Sequence, residues 1–287
     1  MIDSHIITFF FLSNLVLIPL LWKLKVFSLS AQDSGGSKAR IGHDCKDNGS
    51  PFQLASALIA LFLYLFTVSS SLLYLEKPLR YLSFFLGFKY QVLSWVVSLS
   101  LALIALFSLL RIHAPVQQKK IIGTCSFKTF LKGVLIGCAI YPVIMSFDAL
   151  VQYIVSMFCT FTPQDQVAIS QLKSVGVFTS SFWLLIIAAV TVVPLVEELL
   201  FRGFLQNFFV DLLGPKIGIA STSVVFSAFH YSSTQGYSNI VLLSSIFVLS
   251  FLIGVIYHKQ KSLFASFAFH ATFNCLSVIF FLLLETL

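Results

Sequence analysis

Long apolar runs separated by short polar stretches organise this chain from end to end. Runs able to cross a bilayer as helices fall at about 6–22, 53–75, 91–110, 129–157, 180–212, 215–235, 238–257 and 262–284. A helix needs roughly 20 apolar residues to span the hydrocarbon core. Strands of alternating polarity, which a membrane barrel requires, are not seen. The expected fold is therefore all-α: a polytopic membrane protein of about eight transmembrane helices. The one extended polar segment is 23–52, where Ser34-Gly35-Gly36-Ser37 and Asp47-Asn48-Gly49-Ser50 read as a flexible loop. Pro142 is the natural place for a kink in the fourth run. Pro194 in the fifth frees a backbone carbonyl, which a membrane helix tolerates when the site is buried in protein.

Composition sharpens this picture at the ionisable residues. Only 10% of the chain is Asp, Glu, Lys or Arg, and the mean hydropathy is +0.95. An ionisable group at the bilayer centre costs at least ~2.5 to 3.5 kcal/mol, so those retained inside apolar runs call for a reason. The net charge of +7 would suggest nucleic acid in a soluble chain, but here Lys and Arg sit mostly in loops. With the amino terminus outside, twelve of them fall in cytoplasmic loops against four on the opposite side. The excess therefore sets orientation, with both termini outside, and implies no nucleic-acid partner. The start, Met1-Ile2-Asp3-Ser4-His5, lacks a basic region, while Lys23 and Lys25 follow the first run; an uncleaved first span is expected. Cys45, Cys125, Cys138, Cys159 and Cys275 show no CxxC spacing and no disulfide framework, and Cys138 and Cys275 read as small core residues.

The fifth run carries Val196-Glu197-Glu198-Leu199-Leu200-Phe201-Arg202. Glu198 and Arg202 are four apart and share a helix face, which reads as an internal ion pair offsetting the arginine's desolvation. That pair does not account for a second acid: adjacent helix positions point about 100 degrees apart. One arginine does not neutralise two carboxylates, and the one left over is suited to take a proton from water.

Two more polar pairs follow at the same spacing, Phe226 with His230 and His270 with Asn274. Glu198 lies sixteen residues before Gly214 and His230 sixteen after it, so an antiparallel hairpin brings both to one membrane depth. His270 sits roughly ten residues into the last run. One buried pocket opening toward the cytoplasm is expected among the four carboxy-terminal helices. In it Asn274 can donate to a developing oxyanion, and His270 can do the same or polarise the carbonyl. A lone histidine in a membrane helix more often bonds a neighbouring helix. Separate pairs would need no such convergence.

Written as motifs, Glu197-Glu198 to Arg202 is EExxxR, Phe226 to His230 is FxxxH and His270 to Asn274 is HxxxN. In this order, in carboxy-terminal apolar helices, they resemble the CAAX-processing and bacteriocin-processing (CPBP/Abi) family of intramembrane endopeptidases. The likeness covers about residues 180 to 280. It implies a catalytic membrane domain over 180–284, preceded by amino-terminal transmembrane helices and their polar loop over 1–170. It implies peptide-bond hydrolysis by an activated water, without a covalent acyl-enzyme, on membrane-associated or lipidated protein tails. Glu197 then aligns with the family's catalytic glutamate, His230 with its partner in water activation, and His270 and Asn274 with the oxyanion-stabilising pair. Glu198, Arg202 and Phe226 hold the site in shape. Helix geometry by itself leaves either glutamate as the base.

The reading leans toward a metal-free reaction, because no HExxH helix occurs and no two histidines share an i, i+4 face. Zinc or another divalent metal would fall to Glu197, His230 and His270. Two rivals stay open: a non-catalytic membrane scaffold or immunity protein of the same family, and a proton-coupled transporter using the acids and histidines as a relay. The transporter lacks an internal repeat. Asp148 beside Gln152 reads as a hydrogen-bonded structural acid, and His258 with Lys259 as interfacial. With no endoplasmic-reticulum retrieval signal in view, the expected location is the bacterial cytoplasmic membrane. The partners are the bilayer and a peptide substrate.

Overall fold

Helix against helix is the only regular packing among the described residues; backbone pairing outside helices is one isolated bridge, Gly123 with Ser262. The structure is a computed structural model that describes residues 13–15, 17–19, 21, 51–113, 115–160, 164 and 166–286. Most of the span expected at 6–22, nearly all of the loop at 23–52 and Cys45 lie outside the described residues.

The elements run α1 Pro51–Tyr74, α2 Glu76–Leu86, α3 Tyr90–Ile112, α4 Pro115–Ile122, α5 Phe127–Phe158 and α6 Val167–Val175. They continue with α7 Ser180–Leu213, α8 Pro215–Ala228, α9 Ser238–Gln260 and α10 Leu263–Thr286. Among the described residues six helices, α1, α3, α5, α7, α9 and α10, are long and apolar enough to cross a membrane. The chain is thus an all-α, multi-pass membrane protein.

Local chemistry sets several boundaries. Ser126 and Thr129 form a reciprocal capping box at the start of α5, both bonds at 3.2 Å. Thr179 Oγ1 accepts the Phe182 N–H to open α7. Gly214 and Pro215 separate α7 from α8, with proline at the first helical position. The span expected over 215–235 is corrected: α8 is a 14-residue helix ending at Ala228, about 21 Å long and short of the hydrocarbon core. Tyr231-Ser232-Ser233-Thr234-Gln235-Gly236 stops it, because Ser, Thr and Gly favour turns over helix interiors. Asn239 pins the turn, accepting the Ser232 N–H at 3.1 Å and donating to the Ser232 carbonyl at 2.7 Å.

The loops that charge bias assigns to the cytoplasm gather at one end. Thr124 N–H donates to the Lys261 carbonyl at 2.9 Å, and Tyr257 OH donates to the Ile121 carbonyl at 2.9 Å. Lys120 pairs with Asp211 at 2.5 Å. At the opposite end, Lys89 bonds Ser181 Oγ through its N–H and the Ser174 carbonyl through Nζ. Cys138 lies exposed on α5, not in the core as its apolar run suggests, because a helix crossing lipid is apolar on its outer face too.

Close packing of α10 on α5 carries His270 and Asn274 into place. A Cβ on Gly133 would overlap the Ala265 carbonyl oxygen, and one on Gly137 would meet the Phe269 carbonyl oxygen at 3.1 Å. Glycines four apart let two backbones approach, as membrane helix pairs require. Beyond them Ile140, Ile144, Ile253, Ile256 and Phe269 close a core between α5, α9 and α10. Gly133→Leu should therefore part the two helices and lower unfolding stability in detergent by about 1–3 kcal/mol. The same change at exposed Gly87, in open space but at φ +70, leaves the α5–α10 contact untouched; a cross-link between α5 and α10 distinguishes the two.

Candidate active site

The helix that carries the acids departs from α geometry twice. Within α7, Ala188–Val192 and Glu198–Gln206 are π-helical, flanking a short α segment Val193–Glu197 that contains Pro194. Wide turns of this kind frequently mark functional sites. Glu198, Arg202 and Gln206 lie on the second π segment and are fully or almost fully buried.

The two glutamates, adjacent in sequence, meet different surroundings. Glu198 is 0% exposed, and both its oxygens are engaged: Oε2 by Arg202 Nε at 3.1 Å and Oε1 by His270 Nδ1 at 3.0 Å. Glu197 keeps 16% of its side chain exposed, and its Oε2 stands 3.6 Å from His270 Nε2. The His270 ring thus bridges the two carboxylates.

Arg202 is held on three sides. Besides Glu198, its Nη2 donates to Ser250 Oγ on α9 at 3.1 Å, and its Cζ lies 5.2 Å from the Phe226 ring centroid. Four residues on, Gln206 Nε2 donates to the Gly254 carbonyl at 2.9 Å. Arg202 with Ser250 and Gln206 with Gly254 share one offset, the register of two parallel helices. No spacing within either run announces Ser250, because the partner belongs to a different helix.

Phe226 gathers the rest. Its ring centroid lies 4.9 Å from His230, 6.1 Å from His270 and 4.8 Å from Phe201. His230 stands two residues beyond the end of α8, half-buried, with Nδ1 bonded to the Phe226 carbonyl at 2.9 Å. A carbonyl only accepts, so Nδ1 carries the hydrogen and Nε2 of the neutral ring keeps its lone pair. Tyr64 on α1 adds a residue that the motifs do not contain: its ring lies 6.3 Å from Phe229, within electrostatic reach of Glu197. Asn274 is bonded elsewhere, its Nδ2 donating to the Ala189 carbonyl at 2.9 Å.

The structure therefore joins Glu197, Glu198, Arg202, Phe226, His230 and His270 through a chain of direct contacts, and sets Asn274 one turn from His270 against the first π segment. Asp148 is apart from them. It accepts from Gln152 at 2.7 Å and Ser245 at 2.9 Å, and lines a polar cavity of about 80 Å³ with Gln164, Gln166, Gln235 and Ser238. As for a metal, no group of three or more His, Cys, Asp or Glu among the described residues is arranged to hold one. Glu198 and His270 Nδ1 are bonded to each other, and Glu198 also to Arg202.

An acid sealed beside one arginine makes removal of a single partner severe. Arg202→Leu should cost about 3–5 kcal/mol of unfolding stability, because Glu198 is left buried without its arginine counter-charge. Glu198→Gln combined with Arg202→Met should cost clearly less than Arg202→Leu alone, measured by unfolding in the same detergent.

Comparison with known proteins bears on residues 179–276, which match the family model described as type II CAAX prenyl endopeptidase Rce1-like. That segment, about a third of the chain, is what resembles the family, and it includes every residue of the three motifs. No curated protein and no solved structure matches the chain.

Proposed function

We propose that this chain is an intramembrane endopeptidase in which Glu197 is the general base. The observation carrying this reading is the unequal commitment of the two acids: Glu198 has both oxygens bonded, while Glu197 keeps 16% of its side chain exposed. Its family match supports an endopeptidase in general, and the mechanism below is drawn from the side chains.

A water held between Glu197 and His230 would give its proton to the Glu197 carboxylate, with the Nε2 lone pair of His230 aligning it. The resulting hydroxide attacks the scissile carbonyl carbon, and its electrons move onto the carbonyl oxygen. Asn274 has a second N–H beyond the one bound to Ala189, and this faces the oxyanion together with His270. The proton taken by Glu197 then passes to the departing amine as the C–N bond breaks. Glu198 and Arg202 hold His270 and take no proton. No step requires a metal.

The substrate is a membrane-associated protein tail, acylated or prenylated, entering sideways where α8 stops. There Phe229, Tyr231 and Tyr237 are 40%, 62% and 55% exposed. An apolar-walled entry beside His230 suits a lipid-bearing peptide.

Glu197→Gln and His230→Ala should each lower kcat about 10²–10⁴-fold toward lipidated tail peptides in liposomes, with unfolding stability kept. A chelator should leave wild-type cleavage unchanged. Turnover in Glu197→Gln within a few-fold of wild type would remove Glu197 as the base. Cleavage by neither protein, with the native phenotype intact in the variants, would favour the scaffold.

A further inference from the structure

Proline 194 leaves a hole in the bonding of α7, and a side chain from another helix fills it. In the first π segment the Val193 N–H donates to the Ala188 carbonyl, five residues back. The next donor in that register, five residues after Ala189, is residue 194, and proline has no N–H. The Ala189 carbonyl thus loses its intrahelical partner within a membrane-crossing helix, where freed backbone groups are satisfied by neighbouring helices. Asn274 Nδ2 supplies the missing donor at 2.9 Å. One turn earlier on α10, His270 bonds Glu198 at 3.0 Å and faces Glu197 at 3.6 Å. Helix α10 therefore grips α7 on both sides of Pro194.

We propose that Asn274, besides its oxyanion N–H, has a positioning role: its other amide hydrogen replaces the hydrogen bond that Pro194 removes. Its grip sets the register of the Glu197–Glu198 segment against His270. The α10 motif is then a two-point clamp: one point fixes backbone, the other fixes carboxylates. Glu197 lies three residues beyond Pro194, so a slip at Ala189 is carried directly to the base. A displacement of about 1 Å at a reacting group can cost about 10²-fold in rate. The inference deepens the endopeptidase reading and rests on it for its kinetic arm alone.

The sequence provides a direct probe, since Ala189-Val190 is the only Ala-Val pair in the chain. Full-length protein in lipid, labelled with ¹³C-carbonyl alanine and ¹⁵N valine, yields one resonance for the Ala189 carbonyl. Asn274→Leu, or the smaller Asn274→Ala if leucine prevents folding, should move that resonance upfield as the hydrogen bond is lost. Pro194→Ala restores an N–H at position 194. In the Pro194→Ala background, loss of Asn274 should therefore shift the resonance little. The kinetic arm compares kcat and KM across the same cycle. Asn274→Leu should lower kcat about 10³–10⁴-fold with KM little changed, because the clamp and the oxyanion donor are lost together, and the same change in Pro194→Ala should lower it at least tenfold less, because only the donor is lost. An unmoved Ala189 resonance in Asn274→Leu, or equal kcat losses in the two backgrounds, overturns the clamp. Should no peptide be cleaved by any form, the endopeptidase reading fails, and the resonance still decides the clamp by itself.

Discussion

An ion pair sealed between membrane-crossing helices is the constraint on which the site depends. Glu198 and Arg202 are both 0% exposed. Neither is tolerable in that place alone, because a buried charge without its partner is among the costliest arrangements in a protein. Each therefore draws partners from beyond its own helix. Arg202 takes Ser250 from α9 and the face of Phe226 from α8, and Glu198 takes His270 from α10. Four helices are oriented about one pair. The histidine so fixed presents its other nitrogen to Glu197, and the proposed base inherits its geometry from a bond it does not make.

Room for this arrangement comes from irregular backbone and small side chains. Pro194 and the two π segments widen α7 where the acids stand. Gly133 and Gly137 bring α10 onto α5, and Gly254 admits Gln206, whose Oε1 a Cβ there would meet at 2.7 Å. The early stop of α8 leaves His230 in a turn, its N–H on the Ser227 carbonyl at 2.9 Å and its tautomer set by the Phe226 carbonyl. In lipid, departures of this kind persist only where protein groups satisfy the freed backbone. Asn274 on Ala189 and Asn207 on the Gly203 carbonyl at 2.8 Å do so.

Adjacent carboxylates thereby acquire different work. One stays bonded and buried, holding the histidine; the other keeps part of its side chain exposed. Pairs of ionisable groups separated by environment are a recurrent means of assigning catalytic roles. Here the separation follows from a rotation of about 100 degrees between neighbouring positions, one facing the arginine and the other left partly exposed.

Much of this was legible along the chain. Uninterrupted apolar runs determined the helical class and the existence of α1, α3, α5, α7, α9 and α10, because apolar length alone decides what can cross lipid. The spacing of Glu198 and Arg202 announced their pair, and Pro194 announced a freed carbonyl. Other features depend on contacts that no local pattern encodes. The end of α8 was decided by a polar turn that Asn239 secures, where hydropathy by itself ran the helix on to residue 235. The partners Ser250, Tyr64 and Ala189 belong to helices remote in sequence, and only packing sets which faces meet. The choice between Glu197 and Glu198 was likewise closed to the sequence. Two identical side chains, one residue apart, differ only in what the folded chain places around each.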